Sequence, residues 1–195
     1  MNTATTIYTI GHSAHAFETF HALLSRHEIT AIADVRSAPY SRHAPQYCKE
    51  DLQRALEANS VSYVFLGQQL GARPKDERCY IDGKVSYAKI AETDAFRAGI
   101  GRVLDGAARF RIALMCAERD PVNCHRTILV SKALTEQGAA VQHILMNGEL
   151  ESHKDTMLRV ADLVGLPPQD LLRDTDDIIA EAYQRRSDQV SYRRK

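Results

Sequence analysis

Residues 111–126 read RIALMCAERDPVNCHR. Arg111 to Ala117 is a short apolar run of the length expected for a buried strand, and it ends on the thiol of Cys116. Asp120-Pro121 then reads as a turn, and Asn123 is placed as an N-cap before a helix running from Cys124 to Gln137. A buried strand that passes through a tight turn into a helix is half of a βαβ unit, so this stretch predicts a parallel sheet with helices on its faces.

The same alternation recurs on both sides. Ile7-Tyr8-Thr9-Ile10 is β-branched and aromatic and is broken by Gly11-His12-Ser13. Phe17, Phe20, Leu23 and Leu24 follow at helical spacing, and Ile29 to Val35 is a second apolar strand. A helix over Lys49–Asn59 turns Leu52, Ala55 and Leu56 inward; Ser62 to Leu66 is a third strand, stopped by Gly67. A further helix over Thr93–Leu104 precedes the strand at 111–117, and Val141 to Leu145 is a fifth strand. The expected class is α/β: a three-layer, Rossmann-like domain with a mainly parallel sheet of about five strands and a helical C-terminal extension. The common order 3-2-1-4-5 would make strands one and four neighbours.

Residues 1–150 are read as the α/β core and 151–166 as a helix (about Lys154 to Val164) packing on it. Residues 167–195 read as a polar extension that opens with Pro167-Pro168, carries a short helix over Asp170–Tyr183 and frays as a solvated tail holding Arg185, Arg186, Arg193, Arg194 and Lys195. Gly67 to Tyr87 shows no clean period. A loop of that length is a candidate lid, with Arg73, Lys75, Arg78, Tyr80 and Tyr87 available to a ligand.

Composition narrows the function classes. The chain of 195 residues is 44% hydrophobic and 26% charged, as expected of a globular domain. Lys plus Arg equals Asp plus Glu at 25 each, so no global field draws in nucleic acid or an anionic membrane, and any anion site must be local. The N-terminus has no basic segment leading into an apolar run, and no stretch approaches the roughly 20 apolar residues that span a bilayer. A cytoplasmic protein with no membrane partner is expected. Its four cysteines, at 48, 79, 116 and 124, are expected to be reduced thiols.

Four elements, TIGHS at 9–13, DVRSAPYSR at 34–42, LGQQLG at 66–71 and LMCAERDPVNCHR at 114–126, occur in this order, with the helix FETFHALL between the first two. Together they resemble the bacterial and archaeal family called domain of unknown function 488, over roughly residues 7–150. The resemblance implies an α/β domain and assigns no reaction. Where family members carry LGG, this chain has Leu70-Gly71-Ala72.

In parallel sheets, ligands bind beyond the carboxyl ends of the strands. His12 and Ser13 follow strand one there, as a proton-exchanging or anion-binding pair or as a plain turn and cap. Asp34 and Arg36 end strand two, and Ser41 and Arg42 lie in the connection after it. Arg36 and Arg42 are candidate anion ligands with Asp34 as their orienter or an acid/base, against a structural salt bridge from Asp34 to either arginine. Glu118 is a candidate acid, base or nucleophile, against an ion pair with Arg126 or Arg36. Cys116 reads as packing. Cys124, beside His125 and Arg126 at a helix start, is a thiol whose pKa can be lowered. A Cys-x5-Arg phosphatase loop is missing, because Val122 and Val130 stand where the arginine would. Cys116, Cys124, His125 and His12 have no paired metal-ligand spacing, and no Walker or GxGxxG element is found, so neither metal nor other cofactor is expected.

These readings favour a hydrolase-like enzyme cleaving a glycosidic or phosphoester bond in a small anionic, nucleotide-derived substrate. His12, Ser13, Asp34 and Glu118 would be catalytic; Arg36, Ser41, Arg42, Cys124, His125 and Arg126 would bind. Two other classes compete: a module that binds a nucleotide or nucleic-acid end without turnover, and a thiol-dependent redox protein using Cys124. Oligomeric state has no sequence signal.

Overall fold

The computed structural model describes residues 5–167 and 173–194. Its strands are β1 (Thr6–Gly11), β2 (Ala31–Asp34), β3 (Ser62–Phe65), β4 (Tyr80–Ile81), β5 (Lys84–Val85), β6 (Ile112–Cys116), β7 (Ala140–Ile144) and β8 (Leu150–Ser152). The helices are α1 (Phe17–Arg26), α2 (Lys49–Ala58), α3 (Gly67–Leu70), α4 (Tyr87–Ala91), α5 (Asp94–Ala107), α6 (Lys132–Glu136), α7 (His153–Leu163) and α8 (Thr175–Val190). A π-helical segment, Arg126–Ser131, leads directly into α6.

The central sheet has six strands in the order β3-β2-β6-β1-β7-β8; all pairings are parallel except the antiparallel β7–β8 edge. Five strands and their class agree with the sequence reading, but the order 3-2-1-4-5 does not. The strand at 112–116 inserts between β1 and β2, so the connection through α1 skips one position. Alternation along the strands does not encode such a choice, because β1, β2 and β6 are all apolar on both faces and any of them can occupy the middle. Strands one and four nonetheless remain neighbours, with Gly11 opposite Cys116.

Because side chains alternate across a strand, the sheet feeds two cores. Tyr8 and Ile10 of β1 join Phe20 and Leu24 of α1 and Leu52 and Leu56 of α2 on one face. Ile7, Leu114 and Cys116 join Phe96 and Ile100 of α5, Ile128, Val160 of α7 and Ile178 of α8 on the other. These are the three layers.

Two segments differ from expectation. Within the supposed loop 67–87, Asp82 and Gly83 take positive φ of 48° and 75°, the turn that joins two antiparallel strands through an Asp-Gly pair. The tail does not fray. Val85 donates its N–H to the Tyr192 carbonyl at 2.9 Å, and Arg194 donates its N–H to the Gly83 carbonyl at 2.9 Å, so the chain end lies along the β4–β5 hairpin. Arg194 pairs with Glu77, and Arg186 Nε donates to the Val122 carbonyl at 3.0 Å. The reason is apolar: Ile178 and Ala182, one helical turn apart, are buried in the main core. The expected helix start at Asp170, together with Pro168 and Lys195, lies outside the described residues. Among those described, no helix is long and apolar enough to cross a membrane.

Candidate functional site

Beyond the last β1–β6 pair the two chains stay together: His12 donates its N–H to the Cys116 carbonyl at 2.9 Å, and Ser13 to the Ala117 carbonyl at 3.1 Å. Ser13 there takes a positive φ of 50°. The turn aims its carbonyl back at His12, whose Nδ1 donates to it at 2.7 Å. This fixes the tautomer and leaves Nε2 as an acceptor, which receives Arg36 Nη1 at 3.2 Å. Burial and the Arg36 charge lower the His12 pKa to about 4. The imidazole also stacks on the Tyr47 ring at 4.0 Å.

Arg36 is in turn held by Asp34. Its Nε donates to Asp34 Oδ1 at 2.9 Å and its Nη2 to Oδ2 at 2.6 Å, and the Arg36 N–H also donates to Oδ1. Tyr63 donates its hydroxyl to Asp34 Oδ2 at 2.7 Å. The salt bridge weighed for Asp34 is therefore present, with Arg36 as its partner and both groups buried. Bidentate geometry and a third donor satisfy the carboxylate, which is what a buried ion pair requires.

The second network centres on the thiols. Cys124 is extended (φ −125°, ψ 142°) and His125 is already helical, so Cys124 is the residue that precedes the helix. Its sulfur accepts the Arg126 N–H at 3.5 Å, the role expected of Asn123. Asn123 belongs instead to a 3-10 turn, Pro121–Asn123, capped by Asp120, and its side-chain oxygen accepts from Arg186. Proline at 121 favours that extra turn and moves the helix start on by one residue.

Arg126 is fully buried. Its Nη1 donates to Cys116 Sγ at 2.6 Å and to the Glu118 carbonyl at 2.7 Å, and its Nε to Thr9 Oγ1 at 3.3 Å; Nη2 has no partner among the described residues. Cys116 Sγ lies 2.6 Å from Cys124 Sγ, and His125 Nδ1 lies 3.7 Å from Cys124 Sγ while His125 Nε2 donates to the Val35 carbonyl. No disulfide is formed.

The two thiols are in direct contact and therefore titrate as a coupled pair. Burial raises the pKa of both, most strongly Cys116, which donates toward its neighbour. For Cys124 the hydrogen bond from Cys116, the Arg126 charge and the Arg126 N–H outweigh burial and bring it down to about 7. The Arg126 guanidinium contacts Cys116, whereas its contact with Cys124 is through the backbone N–H. The negative charge nevertheless belongs on Cys124, where the helix-start N–H adds a donor that Cys116 lacks. Burial and Arg126 lower the pKa of His125, against its hydrogen bond to Val35.

One sheet edge thus gathers His12, Asp34, Arg36, Cys124, His125 and Arg126. Glu118 is at that edge but inverted: its carbonyl faces inward while its side chain belongs to an exposed residue. Ser41 Oγ accepts the Ala44 N–H, and Arg42 is exposed in the connection after β2; no ion pair among the described residues joins it to Asp34 or Glu118. Among the described residues, no group of three His, Cys, Asp or Glu side chains could hold a metal. A groove of about 570 Å3 is lined by Ile128, Leu129 and Lys132 from the helical segment that Arg126 opens, with Tyr87 of α4 and Tyr183 of α8; neither thiol lines it.

Several residues of the networks were not singled out from sequence. Thr9 and His143 are polar positions in otherwise apolar strands, which is a readable signal. Tyr47 and Tyr63 carry no local signal, since an aromatic in a strand or turn ordinarily packs.

A family model described as domain of unknown function DUF488 matches residues 16–133, from just before α1 into α6. No curated protein and no solved structure matches. The matched stretch is more than half of the chain and contains Asp34, Arg36, Cys116, Cys124 and Arg126. The chain belongs to the family described as domain of unknown function DUF488.

Proposed function

We propose that the protein is a thiol-dependent redox protein whose Cys116 and Cys124 interconvert between dithiol and disulfide. One observation carries this reading: two free cysteines stand with sulfurs 2.6 Å apart against a buried guanidinium that has no carboxylate partner. A buried cation normally meets a carboxylate, and here its counter-charge is the thiolate the pair shares.

The chemistry uses a hydroperoxide as oxidant. The Cys124 thiolate attacks the distal peroxide oxygen, breaking the O–O bond and releasing alkoxide, which takes a proton and leaves as alcohol. Cys116 sulfur then attacks the sulfenic sulfur of Cys124, forming the S–S bond and expelling hydroxide, which leaves as water with the Cys116 proton. In sum, two thiols and one hydroperoxide give one disulfide, one alcohol and one water. Two equivalents of an external thiol return the pair to the dithiol and carry off the oxidising equivalents as their own disulfide. Both cysteines are buried, and of the side chains in contact with Cys124, His125 is partly exposed.

The hydrolytic reading, on a small anionic, nucleotide-derived substrate, draws on the exposed Glu118 and Arg42. Its weakness is charge: the Asp34 carboxylate already neutralises Arg36, and the Arg126 guanidinium faces thiols. The test is to treat the reduced protein with one equivalent of hydrogen peroxide and map cysteines by mass spectrometry. A Cys116–Cys124 disulfide, absent in Cys116→Ser and Cys124→Ser, is expected; both residues remaining thiols while Cys48 or Cys79 oxidises would reject the reading.

A further inference from the structure

Arg126 reaches past the thiols to a line of buried polar groups that the redox step does not use. Arg126 Nε donates to Thr9 Oγ1 at 3.3 Å; Thr9 Oγ1 donates to His143 Nδ1 at 2.7 Å; His143 Nε2 donates to His153 Nδ1 at 2.9 Å; and His153 Nε2 meets the Tyr183 hydroxyl at 2.5 Å. Thr9 and His143 are wholly buried, and His153 nearly so. They come from four separate elements: β1, β7, the first turn of α7, and α8. Thr9 and His143 are directly opposite in the parallel β1–β7 register, and both fall on the sheet face that carries Cys116.

The direction of this line is dictated at one end. A guanidinium has no acceptor, so Thr9 receives from it, and among the described residues His143 Nδ1 is the one partner left to take the Thr9 hydroxyl hydrogen, so the direction that strands no hydroxyl runs onward to His143. That makes His143 Nδ1 an acceptor and puts its proton on Nε2; His153 is forced into the same tautomer, and its Nε2–H points to Tyr183. Every dipole in the row then has its negative end toward Arg126. Burial keeps both imidazoles neutral, lowering His153 to about 4 and His143, which also has His153 and Arg126 beside it, well below its ordinary value. A protonated His153 would set two N–H groups against each other and break the row.

We infer that Thr9, His143, His153 and Tyr183 form a one-way hydrogen-bond row that solvates the Arg126 guanidinium and holds it against the Cys116–Cys124 pair, making Thr9 and His143 positioning residues for the thiol chemistry. Ordinary core packing would bury these two imidazoles equally well but gives no reason for a common direction starting at the one buried cation beside the thiols. The far end of the row also meets the helical segment that Arg126 opens, because Lys132 Nζ at the start of α6 lies over the Tyr183 ring, 5.5 Å from its centroid. Arg126 and the end of its helix are therefore tied to the same row.

This inference rests on the thiol reading, and the experiment separates the two. Cys124 is faced by Cys116 from β6, by His125 and Arg126 from its own helix, by Glu118 from the β6 loop and by Tyr87 from α4. The rate of iodoacetamide labelling at Cys124 is measured against pH for the wild-type protein, Thr9→Val, Thr9→Ser and Tyr183→Phe, each checked for folding by circular dichroism. The wild-type midpoint tests the thiol reading: a midpoint at or above that of an ordinary thiol defeats it whatever the variants do. Thr9→Val keeps the shape of the side chain but removes its oxygen, and is expected to raise the midpoint by about one pH unit, roughly a tenfold loss of thiolate below it. Thr9→Ser restores the wild-type curve. Tyr183→Phe, at the half-buried end of the row, shifts the midpoint in the same direction by less and serves if Thr9→Val fails to fold. A lowered wild-type midpoint that coincides with those of the folded variants overturns the row's positioning role and leaves the thiol reading standing. Histidine 15N shifts give an independent readout: both imidazoles are expected as Nε2–H tautomers in the wild type, and an Nδ1–H form of either rejects the row.

Discussion

A β-carbon on Gly11 would stand 1.8 Å from the carbonyl oxygen of Glu118. That carbonyl is the acceptor for Arg126 Nη1, so the glycine makes room for the group that holds the buried cation. Gly11→Ala is therefore expected to push the Glu118 loop outward and destabilise the protein by about 1–3 kcal/mol, the usual cost of overpacking. Urea unfolding measures it. Cys124 labelling should change in the same variant, and an unchanged stability and labelling profile would mean the loop yields freely.

The inward carbonyl also separates two readings of Glu118. If the residue contributes through its backbone, Glu118→Gln leaves stability within about 0.5 kcal/mol of wild type and disulfide formation unaffected. If its carboxylate transfers a proton to a small anionic substrate, turnover of that substrate falls roughly two to four orders of magnitude. Screening wild type and variant against nucleotides and sugar phosphates, alongside peroxide oxidation, decides between them.

Glu118 shows where sequence reasoning stops. Its position at the end of a parallel strand, next to Cys116 and before a turn, was readable, and so was the gathering of His12, Asp34, Arg36 and Arg126 at one edge. Which end of Glu118 faces inward depends on the loop's path over Gly11, a contact between residues far apart in the chain. The insertion of β6 between β1 and β2 escaped for the same kind of reason: interchangeable apolar strands do not specify their neighbours. Ile178 and Ala182, one helical turn apart, were not singled out, because the charges around them made the segment read as polar. The Asp82-Gly83 turn was a plain local signal inside a segment too irregular to show a period.

The Asp34–Arg36 pair is expected to be structural. With both groups buried and the carboxylate accepting from Arg36 and Tyr63, Asp34→Asn leaves a buried guanidinium without its counter-charge and should cost about 3–5 kcal/mol. Tyr63→Phe removes one donor from a charged acceptor and should cost about 1.5–3 kcal/mol. Equal losses for the two variants in chemical denaturation would contradict this ranking.

Mild acid should weaken the fold through its buried histidines. His12 and His153 are lowered to about 4 by burial, so between that value and their ordinary 6.5 the unfolded chain binds protons that the folded one does not. The contribution is therefore complete above pH 6.5 and is lost as pH falls toward 4, at about 1.4 kcal/mol per pH unit for each histidine once its unfolded form is fully protonated. Urea midpoints between pH 7 and 5, above the range of most carboxylates, isolate it. His12→Gln should flatten that slope, and an unaltered slope in the folded variant would show that His12 titrates normally.

Arg126 carries the last prediction, because its two possible roles differ in sign of consequence. As a structural donor it satisfies Thr9 and the Glu118 carbonyl; as a counter-charge it keeps Cys124 ionised near neutrality. Arg126→Met fills much the same volume, and the thiolate it leaves behind can take up a proton, which relieves the penalty for an unpaired buried charge. The two orphaned acceptors should still cost about 1–3 kcal/mol each, less whatever water recovers. The thiols lose the only cation that contacts them among the described residues. Burial then dominates, and the Cys124 midpoint is expected to move from about 7 to above the ordinary thiol value, with labelling at neutral pH slowed at least roughly tenfold. Because a destabilised protein opens more often, a purely structural role predicts the opposite, faster labelling at unchanged midpoint. Mass-spectrometric mapping of the labelled cysteine across pH, on protein shown to be folded, distinguishes them: a raised midpoint assigns Arg126 to the thiolate, and a faster reaction with the wild-type midpoint assigns it to the fold alone.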